Sequence, residues 1–295
     1  MSESPQCWIN GELVTQNEAK VSVFDHGFLY GDGVFEGIRF FNKHPFMLYE
    51  HLIRLQKSAK AIALEVPYDN QAILNAIEQV IHNFAEDSGY LRLIVTRGVG
   101  PLGLDPTGCS EPSLFIMADQ LAIVSERIRT AGVRLIIAST RRLPNDGLDS
   151  RIKNLNYLNQ ILARMEANEA GADEAVLLNQ AGRVAEGTTE NIFIVVEGKL
   201  LTPPVTEGAL DGITRNLVIQ LAQQNGISVA ESPLTSYDLY NADECFLTGT
   251  GAELIPVCKI DGRRVNACPG AVYKQLEEYY RKTIVCQSEN TQRFL

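Results

Sequence analysis

Positive charge is in short supply in this chain. Lysine and arginine number 26 against 36 aspartates and glutamates, leaving a formal net charge of −10 and a pI near 5.0. Such a chain repels phosphate backbones except at a local basic patch, which argues against a nucleic-acid partner. The densest patch is Arg141-Arg142 with Arg151 and Lys153. Cysteines are few and scattered: Cys7, Cys109, Cys245, Cys258, Cys268 and Cys286 form no CxxC and have no histidine beside them. Neither a zinc site nor a redox pair is indicated. No apolar run approaches the roughly 20 residues of a membrane span, and the opening MSESPQCWINGEL lacks the basic-then-apolar pattern of a secretory leader. Internal repeats and low-complexity segments are missing too. The expectation is a cytoplasmic, reduced protein with no metal, membrane or nucleic acid among its partners.

What is present fits a globular enzyme-sized chain. Its 295 residues, 45% hydrophobic and 21% charged, suffice for two ordinary domains with a sizeable core. Cys7 to Thr15 reads as a hairpin turned at Asn10-Gly11, with a further strand over Lys20 to Phe24. Amphipathic helices follow at His51 to Leu64 and Asn70 to Asp87, then strands at Tyr90 to Arg97 and Ser113 to Ala118. The mixed polarity from Asp119 to Ala131 reads as a linker before a β-branched strand at Val133 to Ala138. Later come a helix at Ile213 to Gln224, a strand at Glu244 to Thr248 and a C-terminal helix after Gly270. The expected class is α+β (mixed α/β), with domains at 1–120 and 131–295 joined by a linker at 121–130.

Chemistry concentrates between Arg151 and Val196. Lys153 and Tyr157 stand where a helical pattern begins, with Leu155, Leu158, Ile161, Leu162 and Met165 at the 3.6-residue period and Gly171 as its end. Glu174 to Asn179 and Arg183 to Glu186 read as antiparallel strands around a tight turn, and Asn191 to Val196 as a buried strand. A lysine thus precedes a helix and a carboxylate closes a strand, the places where functional groups tend to lie. A lysine amine that condenses with a carbonyl is a covalent catalyst, and pyridoxal phosphate is the common cofactor that uses one. Its pyridine nitrogen needs an ionisable partner and its ring oxygen a donor; Glu186 and Tyr157 are of those types. Composition alone would sooner make Lys153 a solvated side chain among arginines.

Other positions stay open on residue type alone. The glycines between Asp25 and Gly37 do not make a dinucleotide fingerprint, because Glu36 stands where the third glycine belongs. Tyr90 and Arg92 share one face of their strand and suit a carboxylate, or a merely wet face. The helix N-terminus at Ile213 and Thr214 offers free amides.

The segments SRIKNLNYLN and GRVAEGTTENIF resemble those of the fold-type IV pyridoxal-phosphate aminotransferases, the branched-chain amino acid aminotransferases in particular. DHGFLYGDGVFEGIRFF, HLIRLQKSAK, YLRLIVTRGVGPLGLDP, GITRNLV and FLTGTGAELIPV extend the resemblance over most of the chain in the family's order. It implies a two-domain architecture with the cofactor in the interdomain cleft. It implies Lys153 as the catalytic Schiff-base lysine, Glu186 on the pyridine nitrogen, Tyr157 near the ring oxygen, and Arg54, Ile213, Thr214 and Thr250 on the phosphate. Tyr30, Phe35, Gly37, Tyr90, Arg92 and the amides at Gly251 and Ala252 would form the substrate site, with the loop from Gly98 to Thr107 arching over it. The implied reaction passes an amino group between leucine, isoleucine or valine and 2-oxoglutarate, in a homodimer or larger assembly. D-amino-acid aminotransferase and aminodeoxychorismate lyase share the cofactor core. A non-catalytic vitamin-binding scaffold and a cofactor-free Schiff-base lyase or aldolase are the readings from other classes. Thr188-Thr189 stands where many relatives carry smaller residues.

Overall fold

The structure, a computed structural model, describes residues 6–109, 111–120 and 126–289. They divide into two compact units, one holding 6–120 with Ile152–Asn156 and 287–289, the other 126–151 with 157–286.

The first unit runs β1 (Cys7–Ile9), β2 (Glu12–Val14), α1 (His26–Tyr30), β3 (Gly33–Phe41), β4 (His44–Pro45), α2 (Leu48–Ala61), α3 (Asn70–Asn83), β5 (Gly89–Thr96) and β6 (Ser113–Asp119). The strands form one antiparallel sheet in the order β2-β1-β6-β5-β3-β4. Period-two alternation sorts its faces. Val34, Ile38 and Phe40 of β3, with Leu91, Leu93 and Val95 of β5, join Leu52, Leu55 and Ala59 of α2 and Ile73, Ile77 and Val80 of α3 in one core. Burying each such side chain contributes roughly 1.5–3 kcal/mol. Phe35 and Gly37 alternate with those positions, beside Ile94 and Arg92 of β5.

Lys20 to Phe24 does not form the expected strand. Val21, Val23 and Phe24 are exposed along a loop, and the chain turns into α1 because Asp25 Oδ1 accepts from the Gly27 amide at 2.8 Å. Residues 152–156, expected with the second domain, count with the first unit for a hydrogen-bonding reason. Phe35 N donates to Lys153 O at 2.9 Å and Leu155 N to Gly33 O at 3.1 Å, with Asn154 bridged to Val34, so the segment straps the edge of β3.

The second unit runs α4 (Glu126–Ala131), β7 (Val133–Ile137), α5 (Leu158–Glu169), β8 (Glu174–Leu178), β9 (Val184–Gly187), β10 (Asn191–Val196), β11 (Lys199–Thr202), α6 (Ile213–Gln224), β12 (Val229–Glu231), α7 (Ser236–Tyr240), β13 (Glu244–Gly249), β14 (Glu253–Ile260), β15 (Arg263–Arg264) and α8 (Ala271–Glu289). Its sheet has the order β12-β11-β10-β13-β14-β7-β8-β9, with β15 on β14. The parallel pairs β14/β7, β7/β8 and β11/β12 make it mixed. Part of the expected linker, 121–125, lies outside the described residues, and α4 occupies the remainder to residue 130.

Helix α5 departs from its expected orientation. It starts at Leu158, after Leu155, and buries Gln160, Ala163 and Ala167, the alanines joining Ala138, Ala175 and Leu177 in one small core. Leu158, Ile161, Leu162 and Met165 are left 46–67% exposed. Small side chains let the helix lie close on β8, which leaves the larger apolar stripe on its outer side.

Candidate active site

In the first unit, chemistry gathers around one aromatic ring. The Lys153 backbone is tied to β3 as described and to Ser58, whose Oγ accepts from Lys153 N at 3.1 Å. Its side chain carries Nζ over the Phe35 ring, 4.5 Å from the centroid, and the Arg92 guanidinium carbon lies 4.4 Å from that centroid. Two cations therefore lie close to a buried phenyl, a contact the ring's negative faces favour. Arg92 also reaches Tyr90, 5.7 Å from its ring centre. A Cβ at Gly37 would collide with the Tyr90 hydroxyl, so glycine is what lets the phenol lie across β3. Burial pushes that phenol above its usual value, keeping it a neutral donor.

Behind this face, Glu36 occupies an inward position of β3 and is fully buried. Its Oε1 accepts from Arg54 Nε at 2.7 Å, and its Oε2 from Arg54 Nη2 at 2.8 Å and from His51 Nδ1 at 2.7 Å. Burial works to raise the Glu36 carboxyl, but Arg54 and then His51 outweigh it and hold it down to about 2. Burial lowers His51, against the pull of Glu36. The ring is neutral at pH 7, and since a carboxylate only accepts, Nδ1 carries the hydrogen. Arg54, expected on a phosphate, is thus gripped by a carboxylate to which sequence reasoning assigns no role. A signal for it exists all the same. A glutamate at a core position of an alternating strand needs cationic or hydrogen-bonding partners, and His51 and Arg54, three apart on α2, share a face.

Tyr30 ends α1, its ring edge-on to His26 at 5.0 Å and its hydroxyl accepting from Gly103 N at 2.9 Å. With His26 Nε2 donating to Pro101 O at 2.9 Å, it tethers the loop from Gly98 to Thr107, whose Leu102 and Leu104 are exposed.

The second unit carries a set of its own. Glu186, buried near the end of β9, sits with Oε1 3.1 Å from Arg142 Nε, and its Oε2 accepts from Leu210 N at 2.8 Å. Arg142 Nε also donates to Gly208 O at 3.0 Å. Arg142 is a second residue whose role emerges only from the fold. Leu210 in turn accepts from Asn191 Nδ2 at 2.9 Å, and a Cβ at Gly212 would strike Asn191 Oδ1. Gly212, which has no side chain to offer a capping bond, is the N-cap of α6, and the buried Ile213 and Thr214 begin the helix. Asn191 pairs with Thr248, two residues before Thr250, which with Gly251 and Ala252 turns β13 into β14. Glu186, the α6 N-terminus and the Thr250 turn thus lie on mutually linked elements. Tyr157 stands at the N-cap of α5, half-buried.

The Thr188-Thr189 turn carries its own buried acid. Glu190 accepts from Thr189 Oγ1 at 2.6 Å and Thr189 N at 3.2 Å, while Glu174 accepts from Ala175 N at 2.7 Å, Thr188 N at 3.3 Å and Arg164 Nη1 at 3.0 Å. Burial first, and the Glu174 charge second, push the Glu190 carboxyl from 4.5 up to about 7. The folded chain then holds a proton that the unfolded chain releases. The resulting stability, roughly 3 kcal/mol at most, is complete below about pH 4.5 and lost as pH rises through 7. Urea unfolding at pH 5.5 and 8 should show that loss in the wild type and a smaller one in Glu190→Gln; equal losses in the two would refute it.

The amino-transferase class IV family model matches residues 33–260. A Methanocaldococcus jannaschii protein, provisionally named a branched-chain-amino-acid aminotransferase, is 49% identical over 275 residues, 93% of this chain and 94% of that one. A D-alanine aminotransferase of Bacillus licheniformis is 34% identical over 289 residues, 96% and 98% of the two chains. Among solved structures, a T.th. branched-chain amino acid aminotransferase complexed with N-(5'-phosphopyridoxyl)-L-glutamate superposes with a TM-score of 0.89 at 37% identity, covering 97% of this chain and 95% of that one.

Proposed function

The chain belongs to the class IV aminotransferases, and from that premise we propose that it transfers amino groups between branched-chain L-amino acids and 2-oxoglutarate using pyridoxal phosphate. The donor set fits that cofactor: a lysine amine, a carboxylate braced by an arginine, and a helix N-terminus behind a glycine whose Cβ would meet the Asn191 side chain. The residues that would hold it are Lys153, covalently, Glu186 at the ring nitrogen, Tyr157 near the ring oxygen, and Arg54, Ile213, Thr214 and Thr250 around the phosphate. Bound there, the group supplies an electron sink for charge that develops as the substrate Cα–H bond breaks. Lys153 Nζ is the base that takes this proton. Glu186 keeps the ring nitrogen protonated by placing a negative charge beside it.

The observation that carries the substrate reading is the Phe35 ring with Lys153 on it at 4.5 Å and Arg92 on it at 4.4 Å. An apolar wall suits leucine, isoleucine and valine, and a guanidinium at its edge suits the side-chain carboxylate of glutamate. That the relative solved with a phosphopyridoxyl-glutamate adduct is also named for branched-chain substrates supports the same division. Gly37, Tyr90, Tyr30 and the amides at Gly251 and Ala252 complete the proposed substrate contacts. Discrimination among the three aliphatic donors would be weak, since one methylene is worth only about 1–3 kcal/mol.

Arg92→Leu tests the reading. In stopped-flow half-reactions it should slow glutamate and 2-oxoglutarate by about 100-fold or more, because a buried carboxylate loses its partner, while leucine changes far less. Equal losses for both would place Arg92 on the α-carboxylate or in a structural role. A wild-type preference for D-alanine would instead favour the activity for which the Bacillus licheniformis relative is named. The exposed apolar stripe of α5 supports a homodimer, and six free thiols are compatible with a cytoplasmic setting.

A further inference from the structure

On the reading that Arg54 binds the cofactor phosphate, we propose that Glu36 and His51 are positioning residues that aim the Arg54 guanidinium before any ligand arrives. Glu36 lies between Val34 and Ile38, all three at 0% exposure, in the middle of a strand that packs on α2. An ionised carboxylate is costly there, and a well-packed apolar residue would serve stability as well or better. The charge is held instead by three hydrogen bonds of 2.7–2.8 Å, two from one arginine fork and one from His51.

The consequence falls on Arg54. A free arginine side chain loses rotamer entropy when it is fixed. Here that ordering accompanies folding, so the plane and direction of the guanidinium are set in advance. Arg54 keeps 11% of its side-chain surface exposed where Glu36 keeps none, placing the guanidinium at the margin of the core. The cluster also neighbours the Lys153 and Tyr90 face. Lys153 acts electrostatically on His51, and both Glu36 and Arg54 act on the Tyr90 phenol. His51 contributes a hydrogen bond without a second cation, because its ring is neutral, and so locks the carboxylate that locks the arginine.

The test compares two ligands that differ only in the phosphate. The full chain, stripped of cofactor, is titrated with pyridoxal phosphate and with pyridoxal, and the ratio of their Kd values is read for each variant. Glu36→Gln should weaken pyridoxal phosphate by about 10–100-fold, the range seen when a residue that orients a ligating group is lost, and leave pyridoxal within about threefold. His51→Leu should move the ratio the same way, and His51→Asn, whose amide N–H can replace the ring Nδ1–H, should restore it. Equal weakening of both ligands, or an unchanged ratio in Glu36→Gln and His51→Leu, overturns the proposal. Should Glu36→Gln fail to fold, the two His51 variants decide by the same ratio. Arg54→Leu separates the two layers. If it leaves the preference for the phosphorylated ligand intact, the phosphate reading itself falls. If it abolishes the preference while the Glu36 and His51 variants keep it, only the positioning role falls.

Discussion

Lys153→Ala is expected to lose amino-group transfer by about 10⁴-fold or more, since on the proposed assignment one amine serves as both covalent anchor and proton carrier. The substitution should leave the sheet intact. The strap at 152–156 is held to β3 through the Lys153 carbonyl and the Leu155 amide, and to Ser58 through the Lys153 amide, none of which involves the side chain. The Phe35 ring loses one of its two cations but keeps Arg92. Cofactor should therefore remain through phosphate contacts, so the readout is turnover per bound cofactor. Borohydride reduction of the wild type followed by peptide mapping should place the label on Lys153. A label elsewhere, or a variant within tenfold of wild type, would sink the assignment.

Glu186→Gln should lower turnover by about 10²–10³-fold, the scale of losing one preorganised electrostatic partner, with the cofactor retained. The amide oxygen can still accept from Leu210 N, so the loop leading to α6 keeps its anchor. What disappears is the negative charge, and the surroundings amplify that loss. Arg142, now facing a neutral amide, adds an uncompensated positive charge near the place proposed for a protonated ring nitrogen, which disfavours the proton. The spectrum of bound cofactor against pH reads this directly. An amide variant with full activity would refute the electrostatic role.

Much of this architecture can be read from local pattern. Helix α6 runs from Ile213 to Gln224 as its periodicity indicates, and β8 and β9 pair about the Asn179–Gly182 turn. Those features depend on neighbours a few residues apart. The α5 face could not be read that way. Periodicity shows that a stripe exists, but Ala163 and Ala167 look featureless until a close-lying strand selects them for burial. The placement of residues 152–156 was equally hidden, because it rests on backbone bonds to β3 that no side-chain pattern encodes. Around Arg54, residue type alone favours a solvated side chain and only the family motif implies a phosphate contact, while the carboxylate that grips it lies in another segment and only the fold joins them.

The strap on β3 also sets an order of events on the ribosome. Every strand of the first sheet has been synthesised by residue 119, yet the edge of β3 near Phe35 lacks its cover until residues 152–156 emerge. At about 5–20 residues per second the interval is about 2–7 seconds, during which exposed backbone donors and acceptors can pair with another nascent chain. The segment carrying Lys153 is thus the last piece of that sheet to arrive, and its delivery closes the edge. Chains truncated within 126–151 would carry every strand of the sheet and still present an open template for aggregation.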